Sequence, residues 1–226
     1  MFSSLRWLAL EVKYLAPAVS FYREHLGLSV RGERETEVAL AVGDADLILR
    51  APSSVPRGGL HTHYAFSTPA DEYDDWWNTL SQHFDLTEFQ FGAAKSLYFY
   101  DLEGNCVEIG QATDEGAGIT GIFEIVLEVE DLDRAVSFYT DLGLSIRDRG
   151  DNRRRVRLDA GPFDIELWEP QLGLADARGG VHVDIGVTAA DATTKVESIT
   201  DQALSVRETE TGYVIRDPDG HYLTIA

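Results

Sequence analysis

The stretch AVSFYREHLGLSVR (residues 18–31) recurs almost letter for letter as AVSFYTDLGLSIR (residues 135–147). Ala18, Phe21 and Tyr22 fall on one face of a helix, and Gly27 offers the left-handed conformation that closes one. Ala135, Phe138, Tyr139 and Gly143 repeat that arrangement. Each helix follows an alternating strand, LRWLALEV (5–12) or IFEIVLEV (122–129), and precedes three short strand candidates: SVRGE, EVALAVG and ADLILRA, or SIRDR, RRVRLDAG and FDIELWE. The unit is β-α-β-β-β. A weaker version follows each copy, GGLHTHYAFST with its helix and strands in the first half and GGVHVDIGVT with its own in the second. Four units therefore form two pairs, 1–113 and 119–226, on either side of the polar, Gly-containing ATDEGAGITG.

Composition restricts the partners. The chain has 226 residues, 44% of them hydrophobic, enough for real cores. No segment approaches the roughly 20 apolar residues of a membrane helix, and the start lacks the order of a signal peptide, so the expected location is the cytoplasm. A net charge of −20, from 39 acidic against 19 basic residues, repels phosphates and anionic headgroups. Nucleic acid and membrane are not expected partners; a small molecule is, for a monomer or homodimer. The scattered acidic surface resembles that of proteins from a high-salt cytoplasm. The single cysteine, Cys106, forms neither an intramolecular disulfide nor a thiolate zinc cluster. Phosphate-loop, dinucleotide and G-x-S-x-G motifs are absent, which sets aside nucleotide hydrolases, Rossmann dehydrogenases and serine hydrolases.

The twin AVSFY…LGL helices, the GG-hydrophobic-His starts of units two and four, and the closing strands DLEGNCVEI and DPDGHYLTI resemble the vicinal oxygen chelate superfamily. This group includes glyoxalase I, extradiol dioxygenases, fosfomycin-resistance enzymes and bleomycin-binding proteins. The resemblance spans almost the entire chain and implies an α+β fold in which four βαβββ units pair into two domains, each a curved mixed sheet around a cup. It also implies that cup-facing residues bind a divalent metal and the substrate.

Strict alternation along LHTHYAF places His61, His63 and Ala65 on one face, and alternation along CVEI leaves Cys106 and Glu108 facing the cup. His63 and Glu108 match two of the family's three metal ligands, a donor pair suited to Fe(II), Mn(II), Zn(II) or Ni(II). At the third position stands Trp7, which ligates nothing, and His61 would have to reach across about 6.6 Å of strand to replace it. LYFYDLEGNCVE (97–108) resembles the extradiol-dioxygenase signature, with Tyr98 at its substrate-contacting tyrosine, although Leu102 replaces a proline and an upstream histidine is absent. Tyr98 and His61 are the candidate acid or base. In the second half the mapping gives Glu124, Glu166 and Asp184, an all-oxygen set suited to Mn, Mg or Ca, with Thr224 in place of Glu108. Arg153, Arg155 and Arg157 alternate on a neighbouring strand and offer those acids ion pairs instead. Trp7, Tyr100, Arg155 and Arg157 are the candidate substrate contacts.

Two readings stay open. One is a metal-dependent enzyme on a substrate with neighbouring oxygens, most like an extradiol dioxygenase and next a glyoxalase. The other is a metal-free binding protein of the bleomycin-resistance type, with aromatic cups around Trp7 and Tyr98.

Overall fold

The computed structural model describes residues 1–54, 56–113, 116–150, 154–170 and 181–226. Arg153 and the two glycines that open the fourth unit lie outside the described residues. The repeat is realised four times. Unit one is β1 (Ser4–Glu11), α1 (Leu15–Leu26), β2 (Ser29–Glu33), β3 (Glu37–Val42) and β4 (Ala45–Arg50). Unit two is β5 (His61–Pro69), α2 (Tyr73–Leu80), β6 (Thr87–Phe91), β7 (Ala94–Tyr100) and β8 (Cys106–Thr113). Unit three is β9 (Gly121–Glu128), α3 (Leu132–Asp141), β10 (Ser145–Arg149), β11 (Arg155–Asp159) and β12 (Asp164–Trp168). Unit four is β13 (His182–Thr188), α4 (Ala192–Ile199), β14 (Ser205–Thr209), β15 (Gly212–Arg216) and β16 (Tyr222–Ile225). Helix α1 buries Ala18, Phe21, Tyr22 and Leu26, and Gly27 closes it at φ +68°. Helix α3 starts on Asp131, whose carboxylate accepts the Arg134 backbone N–H at 3.0 Å.

The described strands form two eight-stranded sheets, ordered β14-β15-β16-β13-β1-β4-β3-β2 and β10-β11-β12-β9-β5-β8-β7-β6. Unit one therefore shares a sheet with unit four, and unit two with unit three. This corrects the expectation that each half of the chain closes its own sheet. Within a unit the opening strand pairs on one side only, β1 with β4 and β5 with β8, which leaves one edge for another unit. Alternation within a unit does not say which opening strands will meet. The antiparallel joins that form are β1 with β13 and β5 with β9.

Within each half, a polar clasp joins the helix of one unit to the closing hairpin of the next, beside apolar contacts such as Phe21 with Phe84 and Phe99. In the first half the Tyr22 hydroxyl of α1 donates to Asp101 at 2.6 Å, and in the second Tyr139 of α3 donates to Asp217 at 2.9 Å. The other oxygen of each aspartate accepts backbone N–H groups of its own turn, from Glu103 and Asn105 or from Asp219 and His221. The repeated SFY and D-x-x-G motifs are thus two ends of one clasp. A continuous apolar cluster drawn from all four units, including Phe21, Phe66, Phe99, Phe138 and Leu223, forms the core. Each such side chain, when fully buried, contributes about 1.5–3 kcal/mol. Among the described residues no helix is long and apolar enough to cross a membrane.

Candidate metal centre and substrate cup

Sheet register builds the site. In the β5–β9 sheet one row across the strands reads Tyr98, Glu108, Ala65, Glu124 and Asp164, each opposite the next. The small Ala65 separates two carboxylates that alternation turns to the same face. His63, two residues before Ala65, brings its Nε2 to 3.0 Å from Glu108 Oε2 and 3.8 Å from Glu124 Oε2. All three side chains are buried, and one ligand atom from each lies within 4.8 Å of the others. The spacings suit donors that share an ion through bonds of about 2.0–2.2 Å.

The donor chemistry fits a divalent cation. Neutral imidazole with two carboxylates offsets a charge of +2, and buried carboxylates left uncompensated are costly. Glu108 Oε2 has no well-aligned hydrogen bond despite its approach to His63. Without metal, a proton on His63 takes the cation's place. Burial depresses the imidazole pKa, but Glu108 and Glu124 outweigh that and lift it to about 9. Burial likewise pushes the Glu124 carboxyl up, and His63 and Arg157 together hold it below the usual carboxylate range.

A pH dependence follows for metal-free protein. The folded His63 pKa of about 9 exceeds the ordinary 6.5, so the stabilisation is complete below pH 6.5 and is lost as pH rises through about 9. The loss is on the order of 3 kcal/mol. Denaturant midpoints of chelator-treated protein are expected to fall between pH 7 and 10, and His63→Gln to flatten that slope; a slope equal in both proteins would contradict the assignment.

Around the three donors lies a cavity of about 620 Å³, a size typical of small-molecule sites. Phe89, Phe91, Tyr98, Phe123 and Trp168 supply its aromatic walls. Burial, and next the Glu108 charge, raises the Tyr98 pKa, so its phenol remains a proton donor. Cys106, outside the cavity lining, packs with Tyr98, Val126 and Trp168, and burial pushes its thiol up to about 12. Arg155 and Arg157 line the facing wall, paired with Glu166 and Glu124 respectively.

Several sequence expectations are relocated. Glu124 and Glu166 stand in the same cup as His63 and Glu108, whereas Asp184 lies in the cup of the other sheet, so the trio Glu124, Glu166 and Asp184 does not form. The crossed pairing of units is the reason. His61 does not share the His63 face. Strand β5 steps from His61 opposite Leu127 to His63 opposite Val126, so Thr62 is an extra residue that breaks alternation. His61 instead meets Tyr64 and His182, away from the donors. Tyr100 stands at the end of β7, 41% exposed and outside the cavity lining.

Trp7 also belongs to the other cup, about 740 Å³ in volume. There the equivalent row reads Val214, Thr224, Gly186, Trp7 and Asp46. The indole N–H donates to Asp184 at 2.8 Å, and the Thr224 hydroxyl donates to the same carboxylate at 2.9 Å. Gly186 is required, because a Cβ there would sit 2.1 Å from the Trp7 ring. Sequence reasoning missed the joining of Glu124 to His63 and Glu108. Its signal was present, since Glu124 occupies the repeat position of Trp7, where the third ligand was expected.

Residues 4–109 and 121–225 match the family model described as the Glyoxalase/Bleomycin resistance protein/Dioxygenase superfamily. The metallothiol transferase FosB of Staphylococcus haemolyticus (strain JCSC1435) is 28% identical over 116 residues, covering 48% of this chain and 84% of the relative. The glutathione transferase FosA of Serratia marcescens is 28% identical over 114 residues, covering 48% and 81%. Glyoxalase I from Zea mays superposes with a TM-score of 0.74 at 18% identity, over 98% of this chain and 92% of its own. A candidate dioxygenase from Bacillus subtilis subsp. subtilis str. 168 superposes with a TM-score of 0.74 at 18% identity, over 100% and 85%. At these identities the two structures speak to fold.

Proposed function

We propose that this chain, which belongs to the Glyoxalase/Bleomycin resistance protein/Dioxygenase superfamily, is a metal-dependent enzyme acting on a small molecule with two neighbouring oxygens. The observation that carries the reading is the convergence of His63, Glu108 and Glu124 from three adjacent strands into one buried cluster. These residues would hold Fe(II), Mn(II), Zn(II) or Ni(II), which when bound supplies a Lewis acid for chelating adjacent oxygens and stabilising an anion. Tyr98, kept protonated, donates a hydrogen bond or a proton at its hydroxyl. The aromatic walls favour a planar ring, which ranks an extradiol dioxygenase first and a glyoxalase second.

The test begins with metal content. Protein expressed in metal-supplemented medium and dialysed without chelator is expected to hold about one ion per chain, since Trp7, Asp184 and Thr224 replace the three donors in the other cup. Catechol under air and methylglyoxal with glutathione then separate the two reaction classes. One observation favours a second reading: a protonated His63, with Arg157, neutralises the two carboxylates without metal. Metal-free protein that binds aromatic ligands, and gains nothing from added ions, would establish that metal-free binding cup.

A further inference from the structure

The two sheets preserve an outer ion pair and differ in an inner one. Asp46 and Asp164 occupy the same repeat position, beside Trp7 and Glu124 respectively. Each meets an arginine of the preceding edge strand: Arg31 Nη1 lies 2.9 Å from Asp46 Oδ1, and Arg147 Nε 3.3 Å from Asp164 Oδ1. The outer pair is therefore common to both sheets. The inner pair is not. Arg157 on β11 contacts Glu124 Oε1 through Nη2 and Asp164 Oδ2 through Nε at 3.2 Å. Register places Ala39 at the Arg157 position in the other sheet, through Ile48 and Ala9 against Glu166 and Val126. Where the carboxylate is replaced by Trp7, its arginine is absent as well. The same sheet architecture thus forms where both partners are absent, so this arginine accompanies the carboxylate and not the sheet.

Arg157 grips one carboxylate oxygen and leaves the other toward the cluster. Glu124 Oε1 faces the guanidinium, while Oε2 lies 3.8 Å from His63 Nε2. The Glu124 side chain is 5% exposed, so few other conformations are open to it. The planar guanidinium reaches Glu124 and Asp164 at once as a two-sided ion pair, a spread that a compact lysine ammonium does not offer. We propose that Arg157 is a positioning residue of the metal centre: it commits Glu124 to ligation through Oε2 and so keeps coordination positions open for substrate. This rests on the metal-dependent reading above and adds to it the residue that sets the ligand's mode.

The experiment uses Co(II), titrated into metal-free full-length protein, with a chelator competition for affinity and visible absorption for coordination. Arg157→Met is expected to weaken Co(II) binding about 10–100-fold, the usual effect of removing a partner that orients a ligand. Its ligand-field bands should also lose intensity, because the released carboxylate adds its second oxygen and raises the coordination number. Arg155→Met, which removes the pairing to Glu166 and Asp148, should match native protein in both respects. Arg157→Gln keeps a polar group beside Asp164 and provides the same readouts if the Met variant does not fold. A native dissociation constant and native spectrum in either Arg157 variant overturn the proposal. Native protein that binds no Co(II) overturns this and the metalloenzyme reading together. Binding lost in Glu124→Gln but native in Arg157→Met overturns this one only.

Discussion

Glu108→Gln is expected to lose nearly all metal after dialysis while its fold survives. Glutamine preserves the size of the side chain and its hydrogen-bonding capacity, so the β8 packing between Tyr98 and Ala65 is maintained. It removes one of the two charges that offset the ion. Four-ligand zinc sites gain about 10–16 kcal/mol, roughly 2.5–4 kcal/mol per ligand, so losing one donor weakens binding on the order of 10²–10³-fold. Metal per chain, measured by elemental analysis, should fall from about one to near zero. Asp184→Asn alters the other cup and should leave metal content unchanged. Equal metal in native and Glu108→Gln protein would remove the cluster from consideration; loss in Asp184→Asn would place the ion in the wrong sheet.

Asp101→Ala should have the largest effect on stability. The Asp101 carboxylate is 9% exposed and accepts from Tyr22 at 2.6 Å, Asn105 Nδ2 at 2.8 Å and the backbone N–H groups of Glu103 and Asn105 at 2.9 and 2.8 Å. Alanine deprives these donors of their acceptor inside the protein. A buried donor without a partner costs about 1–3 kcal/mol. Tyr64 remains hydrogen-bonded to Tyr22, and the turn can admit some water, which limits the total to about 3–5 kcal/mol. For a chain of this size that is a fall in Tm of roughly 10 °C. Calorimetry of Asp101→Ala and Asp217→Ala tests both clasps, and a fall under about 2 °C would show that the clasp is not what holds the helix to its hairpin.

The four units and their element order were legible because helix and strand periods are local and the chain writes them more than once. Tyr98, His63 and Glu108 could be placed on one sheet from alternation within a single unit. Glu124 was legible as a cup-facing carboxylate, but its cup depended on which opening strands share an edge. That choice is made between β5 and β9, whose pairing is stabilised by contacts far apart in sequence. His61 was misplaced by the extra residue Thr62, because one inserted residue reverses every side chain before it and leaves no trace in composition. The clasps were written in the sequence as SFY and D-x-x-G, yet nothing in periodicity says that one motif hydrogen-bonds the other.

The crossed sheets also govern how the chain can be made. Strand β1 finds its partner β13 only when His182–Thr188 has been synthesised. Until then β1 presents one unpaired edge, and the Trp7 side of that sheet has no fourth unit to close it. Units two and three are consecutive and can zip β5 to β9 as soon as both have emerged. The sheet bearing His63, Glu108 and Glu124 therefore assembles first, and the sheet bearing Trp7 closes last. Such long-range pairing slows folding and prolongs exposure of the waiting edge, so nascent chains stalled between residues 170 and 180 should be the ones a chaperone holds.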